Sequence, residues 1–154
     1  LRNSRLFTRR TTGCWRCFAG INTTSMFTLE QLAAARGRVK SGADFPALVQ
    51  TFIQLGVRRY TTWLTDGHTD YEGADQRLSS PPTHAEHPIA DRVDREHFLA
   101  RIKHHQQGLS DYPTICNEAR AAGVQRWVVD TTAMTCTYFD KAGNAVLVEE
   151  IPSA

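Results

Sequence analysis

The apolar residues of the first half of the chain follow a helical spacing twice and then the alternating pattern of strands. Thr28 and Gln31 form a capping box at the start of the first predicted helix, and Asp44 is placed to cap the second helix. The β-branched and aromatic residues that follow are typical of strands, and Asp66 with Gly67 predicts a two-residue hairpin turn. The pattern therefore predicts helices over 28–40 and 44–55 and strands over 57–65 and 68–72.

The second half of the chain shows the same kinds of pattern after a polar stretch. Residues 73–89 predict a loop with a short edge strand near Leu78. Asp94 and Asp111 are placed to cap two further helices, which end near Gly108 and Gly123. Three more strands are predicted, over 124–130, 134–140 and 145–151.

The two halves also match each other in sequence. At an offset of 67 residues, five of the 17 residues in 44–60 are identical to those in 111–127. We therefore expect an α+β fold in one domain, with two pseudo-equivalent helix-helix-hairpin halves, an antiparallel sheet and helices packed on it. The alternative is that two unrelated helix-to-strand junctions use the same capping residues.

Charge separates residues 1–25 from the rest of the chain. That segment contains five arginines and no acidic residue, whereas 26–154 contains 13 basic and 16 acidic residues. We expect 1–25 to be a disordered or non-native extension and 26–154 to be the domain. A transit-like presequence and a nucleic-acid-binding arm are the alternatives. The Cys14–Cys17 pair in this segment has no second ligand pair at zinc spacing, and we interpret it as accidental.

Composition limits the class of protein. Apolar residues make up 41% of the chain and charged residues 22%, which is typical of a soluble globular domain. No apolar run reaches the length of about 18 residues that a membrane helix needs. The acidic balance of 26–154 does not favour duplex binding. We expect a cytoplasmic protein with no membrane partner.

Four side chains are candidates for chemistry. His68 and Asp70 lie two residues apart on a predicted strand and so share one face, where they could act as a base and its orienting group. His105 lies on the apolar stripe of the third helix and Cys116 on the inward face of the fourth. Each also has a structural interpretation, as a solvated strand face, a hydrogen-bonded core histidine or a small buried hydrophobe. The spacing predicts no metal site and no bound cofactor.

Aromatic and basic residues alternate on the predicted strands. Such residues could stack single-stranded bases, although strand aromatics usually belong to the core. The residues concerned are Tyr60, Trp63, Tyr71 and Trp127, with Arg58, Arg59 and Arg126.

Several segments together resemble a known family. They are Val57-Arg-Arg-Tyr-Thr-Thr, Asp66-Gly-His-Thr, Ala122-Gly-Val-Gln-Arg-Trp-Val-Val-Asp and Met134-Thr-Cys-Thr-Tyr. The chain resembles the YdfO-like family of small bacterial and prophage proteins of unknown function, which are often labelled "phage envelope protein". The resemblance covers about 26–152 and implies a single α+β domain. It implies no reaction, cofactor or catalytic residue.

The sequence favours a non-enzymatic domain that binds a small ligand or a protein partner, including a second copy of itself. The first alternative is an enzyme that uses His68, Asp70, His105 or Cys116 in a cleft between the two halves. The second alternative is single-stranded nucleic-acid binding through the strand aromatics.

Overall fold

The computed structural model describes residues 26–153, and it confirms an α+β domain. Four helices accompany six strands in one sheet, with a short 3-10 turn at Gly42–Asp44 before the second helix. The helices are α1 Leu29–Arg36, α2 Phe45–Leu55, α3 Arg95–Gln106 and α4 Tyr112–Ala121. The strands are β1 Arg59–Trp63, β2 Thr69–Glu72, β3 Arg77–Ser79, β4 Val124–Asp130, β5 Thr135–Asp140 and β6 Ala145–Glu150.

The sheet is antiparallel throughout, in the order β3-β2-β1-β4-β5-β6. Two helices followed by three strands therefore occur twice along the chain, and β1 and β4 pair at the centre of the sheet. In that pair Thr61 lies opposite Val128, which is 67 residues further along the chain. The equivalence of the two halves stays a prediction.

The core lies between the helices and one face of the sheet. Side chains of a strand alternate between faces, and on β1 and β2 the buried set is Tyr60, Thr62, Thr69 and Tyr71. Phe52 of α2 contacts the rings of Tyr60 and Tyr71 edge to face. Trp63, Asp70 and Arg126 lie on the opposite face, which we call the open face because none of the described helices packs on it.

Local geometry differs from the sequence prediction at three places. The first helix ends at Arg36 rather than near residue 40, because the N–H groups of Arg38 and Val39 donate three residues back, to Ala35 and Arg36, instead of four. The hairpin between β1 and β2 has a four-residue connection, 64–67, instead of the predicted two-residue turn at Asp66 and Gly67. The last bond before this connection runs from the Trp63 N–H to the His68 carbonyl. Asp44 occupies the N-cap position of α2, but its carboxylate accepts from the backbone of Lys40 and Ser41 instead of from the helix.

The remaining helix boundaries follow the predicted capping residues. Asp94 accepts from the His97 N–H at 3.0 Å, and Asp111 accepts from the Thr114 N–H at 2.9 Å. Gly56 ends α2 in the left-handed conformation that favours glycine, with φ 95°. Within 26–153, no helix has both the length and the apolar character needed to cross a bilayer.

Candidate functional site

A cavity of about 690 Å³ lies between the sheet and the helices. Its floor is the helix-facing side of the sheet, and its roof consists of apolar helix residues. The floor residues are Tyr60, Tyr71, Trp127, Cys136 and Tyr138, and the roof residues are Leu32, Leu48, Ile102 and Ile115. A concave apolar site of this size with a few polar groups is typical of small-molecule binding.

Arg36 is the basic residue that reaches the aromatic part of this cavity. It stands in the last turn of α1, and its Nε donates to the Tyr71 hydroxyl at 2.6 Å. One terminal nitrogen donates to the Thr69 hydroxyl at 3.3 Å. The guanidinium carbon lies 5.5–5.7 Å from the ring centres of Phe52, Tyr60 and Tyr71. Aromatic faces at these distances attract a cation, and they fix its position.

The positive charge of Arg36 has no acidic partner within 26–153. Burial lowers the pKa of Arg36, but the neighbouring tyrosines, Tyr71 first, outweigh this and leave the pKa above its ordinary value. The guanidinium is therefore charged at every physiological pH. Its two neutral hydroxyl partners occupy two of its five N–H donors, and the other three have no acceptor among the described residues. A cation in this state is suited to bind an anion.

Tyr60 places a second polar atom in the cavity. The residue is only 2% exposed and lies on the floor beside Arg36. Within the described part of the chain its hydroxyl has no hydrogen-bond partner, whereas the Tyr71 hydroxyl accepts from Arg36. Burial raises the pKa of Tyr60 well above its ordinary value, so the phenol stays protonated. The hydroxyl is not among the atoms that are both buried and unpartnered, so it is open to the cavity and available as a donor to a bound molecule.

His105 forms part of the cavity wall from α3. Its Nδ1 lies 3.1 Å from the Ser110 carbonyl and 3.2 Å from the Ser110 hydroxyl. Burial lowers the pKa of His105, against opposing effects of Ser110, Asp111 and Glu118. Gly42 packs directly on this histidine, and a Cβ at position 42 would overlap the His105 carbonyl and ring. The absence of a side chain at Gly42 therefore lets α3 approach the turn before α2.

The border of the cavity carries charges of both signs. Lys40 and Glu30 line it from the α1 side, and residues 80–83 line it from the loop after β3. The N-terminal ends of α2 and α4 also reach the lining, through Phe45 and Tyr112, whereas the carboxylates of Asp44 and Asp111 stand next to these ends outside the lining. These carboxylates offset the positive potential of the two helix ends.

The predicted pair His68 and Asp70 lies on the open face, away from the cavity. The His68 Nδ1 is 2.5 Å from an oxygen of Asp66, and its Nε2 is 3.9 Å from Asp70. The ring stacks on Trp63, whose Nε1 donates to Asp70 at 2.9 Å. These contacts orient the hairpin, and they form a surface cluster rather than a concave site.

The structure does not bring the four candidate side chains together. His105 lines the cavity, Cys116 is buried on α4, and His68 with Asp70 is on the other side of the sheet. Cys116 and Cys136 are both buried free thiols, and burial raises their pKa values to about 11 and about 12. Thiols with such pKa values are poor nucleophiles at neutral pH. Across 26–153, no three His, Cys, Asp or Glu side chains are grouped closely enough to hold a metal ion.

The aromatic residues suggested for base stacking separate onto the two faces of the sheet. Tyr60, Tyr71 and Trp127 belong to the buried face and are at most 9% exposed, so they cannot stack bases on a surface. On the open face the Arg126 guanidinium lies between Trp63 and Phe139, at 5.3 Å and 4.8 Å from the ring centres. Arg126 thus covers the two rings itself.

The sequence interpretation did not single out Arg36. Its one signal was its place one turn after Leu32 on the apolar side of α1, where a charged residue is unusual. The unpaired Tyr60 hydroxyl had no sequence signal. The CxxC pair at 14–17 lies outside the described residues.

Comparison with known proteins places the chain among proteins without an assigned role. Residues 33–150 match the model of a family described as "Protein of unknown function (DUF1398)". Uncharacterized proteins from Mycobacterium bovis and from two strains of Mycobacterium tuberculosis are 34% identical over 100 residues. The match covers 62% of this chain and 59% of each relative, so it spans about three fifths of the length of those proteins.

Proposed function

Because the chain belongs to the DUF1398 family, whose function is unknown, we propose a function from its own cavity: the domain binds a small anionic molecule. The observation that carries the proposal is the charged Arg36 side chain, which borders a cavity of about 690 Å³ without an acidic partner among the described residues. A partly buried cation without a counter-ion is costly, and a bound anion removes that cost.

The surroundings of Arg36 favour a ligand with an apolar body. The roof is aliphatic and the floor is aromatic, so most of the ligand surface would leave water on binding. The rings of Phe52, Tyr60 and Tyr71 hold the guanidinium in place before the ligand arrives. A preorganised cation loses little conformational entropy when it binds, which favours affinity.

Binding is favoured over catalysis by the chemistry of the cavity. His105 and Cys136 are the imidazole and the thiol of the described lining, and the pKa of Cys136 is raised to about 12 by burial. Neither makes a hydrogen bond to a carboxylate that would activate it within the described residues. The narrower expectations from the sequence remain proposals: the YdfO-like membership with its phage-envelope label, a cytoplasmic location and a second copy or another protein as partner.

Calorimetric titration of the full chain tests the proposed function. Three anions are compared with uncharged analogues of the same carbon skeleton: naphthalene-2-carboxylate with naphthalene-2-carboxamide, decanoate with decanol, and 2-naphthyl phosphate with 2-naphthol. We expect at least one anion to bind about tenfold tighter than its analogue, because a hydrogen bond to a charged group contributes about 1.5–3 kcal/mol.

The variant Arg36→Met removes the charge but keeps a long apolar side chain, and it should abolish the preference for the anion. Arg59→Met is the matched control, because Arg59 is an exposed arginine of the open face that pairs with Asp130 at 3.4 Å. Equal binding of all anions and their analogues, or an anion preference that survives in Arg36→Met, would contradict the proposal.

A further inference from the structure

Within this proposed function, on which the inference rests, we propose that the ligand is an aromatic monocarboxylate whose carboxylate is held jointly by Arg36 and the hydroxyl of Tyr60. Both groups border the same part of the cavity, since the Arg36 guanidinium carbon lies 5.5 Å from the centre of the Tyr60 ring. A carboxylate has two oxygens, and so it can accept from the guanidinium and from the phenol together.

The charge of the cavity fits one negative charge better than two. Arg36 is the cation among the aromatic residues, whereas Lys40 lies at the border together with Glu30. Arg36 also stands at the C-terminal end of α1, where the helix dipole is unfavourable for an anion. The carboxylates of Asp44 and Asp111 lie at the two helix N-termini next to the lining and reduce the attraction of those ends for an anion. A phosphate monoester would therefore bring a second charge, for which the described lining offers only Lys40, which lies at the border, as does Glu30.

The Tyr60 hydroxyl indicates where in the cavity the hydrogen-bond acceptor of the ligand lies. Its hydroxyl is the floor hydroxyl without a partner, since Tyr71 accepts from Arg36 and Tyr138 contacts Glu149 at 3.4 Å. An alkyl chain placed over Tyr60 would leave this donor buried and unpaired, at a cost comparable to a lost hydrogen bond. A carboxylate oxygen placed there satisfies it. The Tyr60 phenol is thus the second anchor beside Arg36.

The shape of the floor favours a flat body for the ligand. Trp127 and Tyr138 of the floor contact each other edge to face, with ring centres 5.9 Å apart, and Trp127 also contacts the ring of Tyr112 from α4 edge to face at 6.1 Å. Such a series presents both faces and edges of rings to the cavity, and aromatic ligands gain from either arrangement. The aliphatic roof then covers the other side of the ring system.

The same titrations distinguish this inference from the proposed function. We expect naphthalene-2-carboxylate to bind about tenfold tighter than 2-naphthyl phosphate, because the phosphate brings a second negative charge. We expect a similar advantage over decanoate, whose carboxylate can make the same hydrogen bonds but whose chain forgoes contacts between aromatic rings and loses more conformational entropy. If 2-naphthyl phosphate or decanoate binds as tightly as naphthalene-2-carboxylate or more tightly, the inference of an aromatic monocarboxylate is wrong. The proposed anion site would still stand. If no anion of the panel binds better than its analogue, both proposals fail.

Tyr60→Phe tests the second anchor directly, because it removes only the hydroxyl. It should weaken naphthalene-2-carboxylate about tenfold while the affinity for the carboxamide changes less. Thr61→Val is the matched control, since it removes a hydroxyl from the next residue of β1, on the open face. An unchanged carboxylate affinity in Tyr60→Phe, with the fold intact by circular dichroism, would overturn the assignment of Tyr60. If Tyr60→Phe and Arg36→Met bind every probe equally weakly, the cavity itself has been lost. That result would also count against the assignment of Tyr60.

Discussion

The Arg36 Nε lies 2.6 Å from the hydroxyl oxygen of Tyr71, across the cavity wall from α1 to β2. This bond connects a helix end to the sheet and uses a neutral acceptor for a charged donor. The charge is therefore positioned but not neutralised by residues 26–153. That combination distinguishes a binding arginine from one that only stabilises the fold, and it leads to the first prediction.

Replacing Arg36 should cost little stability in the ligand-free protein. Arg36→Met removes a bond to a neutral hydroxyl, but it also removes the cost of holding an unpaired cation away from water. We expect the free energy of unfolding, measured by urea denaturation, to stay within about 1 kcal/mol of wild type or to increase. A loss above about 3 kcal/mol would show that Arg36 is a structural residue.

Arg120 provides the contrast. It is buried, its guanidinium donates to the Leu64 carbonyl at 3.0 Å, and it also bonds Asn117. Arg120→Met would leave the Leu64 carbonyl unpaired, so we expect a loss of about 1–3 kcal/mol. Arg36→Met and Arg120→Met should therefore differ in the free energy of unfolding measured by urea denaturation. Equal losses would contradict the distinction between the two arginines.

Gly42 should be intolerant of a side chain. In Gly42→Ala the new Cβ would overlap the His105 carbonyl, so α3 or the turn before α2 must shift. We expect a loss of about 1–3 kcal/mol in the free energy of unfolding, as for other overpacked sites. Thermal or urea denaturation measures it.

Gly37 is the matched control for this substitution. It has φ −62°, and a Cβ there would have only ordinary contacts, the nearest 3.5 Å from the Ala33 carbonyl. Gly37→Ala should be neutral or stabilise by about 0.4–1 kcal/mol, because it restricts the unfolded chain. A larger loss for Gly37→Ala than for Gly42→Ala would contradict the packing described for His105.

Stability should depend on pH through His105. Burial lowers its pKa in the folded protein below the unfolded value of about 6.5. Below that pH the unfolded chain binds the proton more readily, so the melting temperature should fall as the pH decreases from 7 towards 5. His105→Gln should show a smaller decrease over this range. Carboxylates with lowered pKa values, such as Asp111, contribute only at lower pH, near 4 and below.

The two buried cysteines should react slowly in the folded protein. Burial raises the pKa of Cys116 to about 11 and that of Cys136 to about 12, and both are at most 7% exposed. We expect iodoacetamide at pH 7.5 to leave both unmodified in native buffer and to alkylate both in urea. Mass spectrometry of peptides measures each site separately. Fast alkylation of Cys116 in the native protein would revive the nucleophile interpretation.

Local sequence signals predicted most of the fold. The caps Asp94 and Asp111 and the left-handed Gly56 act through their nearest neighbours, so their positions were evident from the chain alone. The early end of α1 was not evident, because Gly37 follows it with ordinary right-handed dihedral angles. The Thr61 and Val128 register agrees with the 67-residue offset, and the duplication itself stays a prediction.

The candidate site depended on long-range packing and was therefore missed. Arg36 and Tyr71 are 35 residues apart, and no local pattern links them. Asp70 lies on β2 and His68 directly precedes that strand, with the His68 Nε2 3.9 Å from Asp70, but periodicity cannot tell which face of the sheet the helices cover. His105 was predicted to hydrogen-bond backbone, and its Nδ1 lies 3.1 Å from the Ser110 carbonyl. A cleft that includes His105 was only an alternative interpretation of the sequence, and its apolar and aromatic lining was not predicted.

A crystal structure of the full chain with naphthalene-2-carboxylate tests the central claim most directly. We predict that the carboxylate oxygens lie about 2.7–3.2 Å from the Arg36 nitrogens and the Tyr60 hydroxyl, with the ring system between the sheet and the helices. A ligand bound instead on the open face, at Trp63 and Arg126, or a cavity in which Arg36 has no anionic partner at saturating ligand, would contradict it.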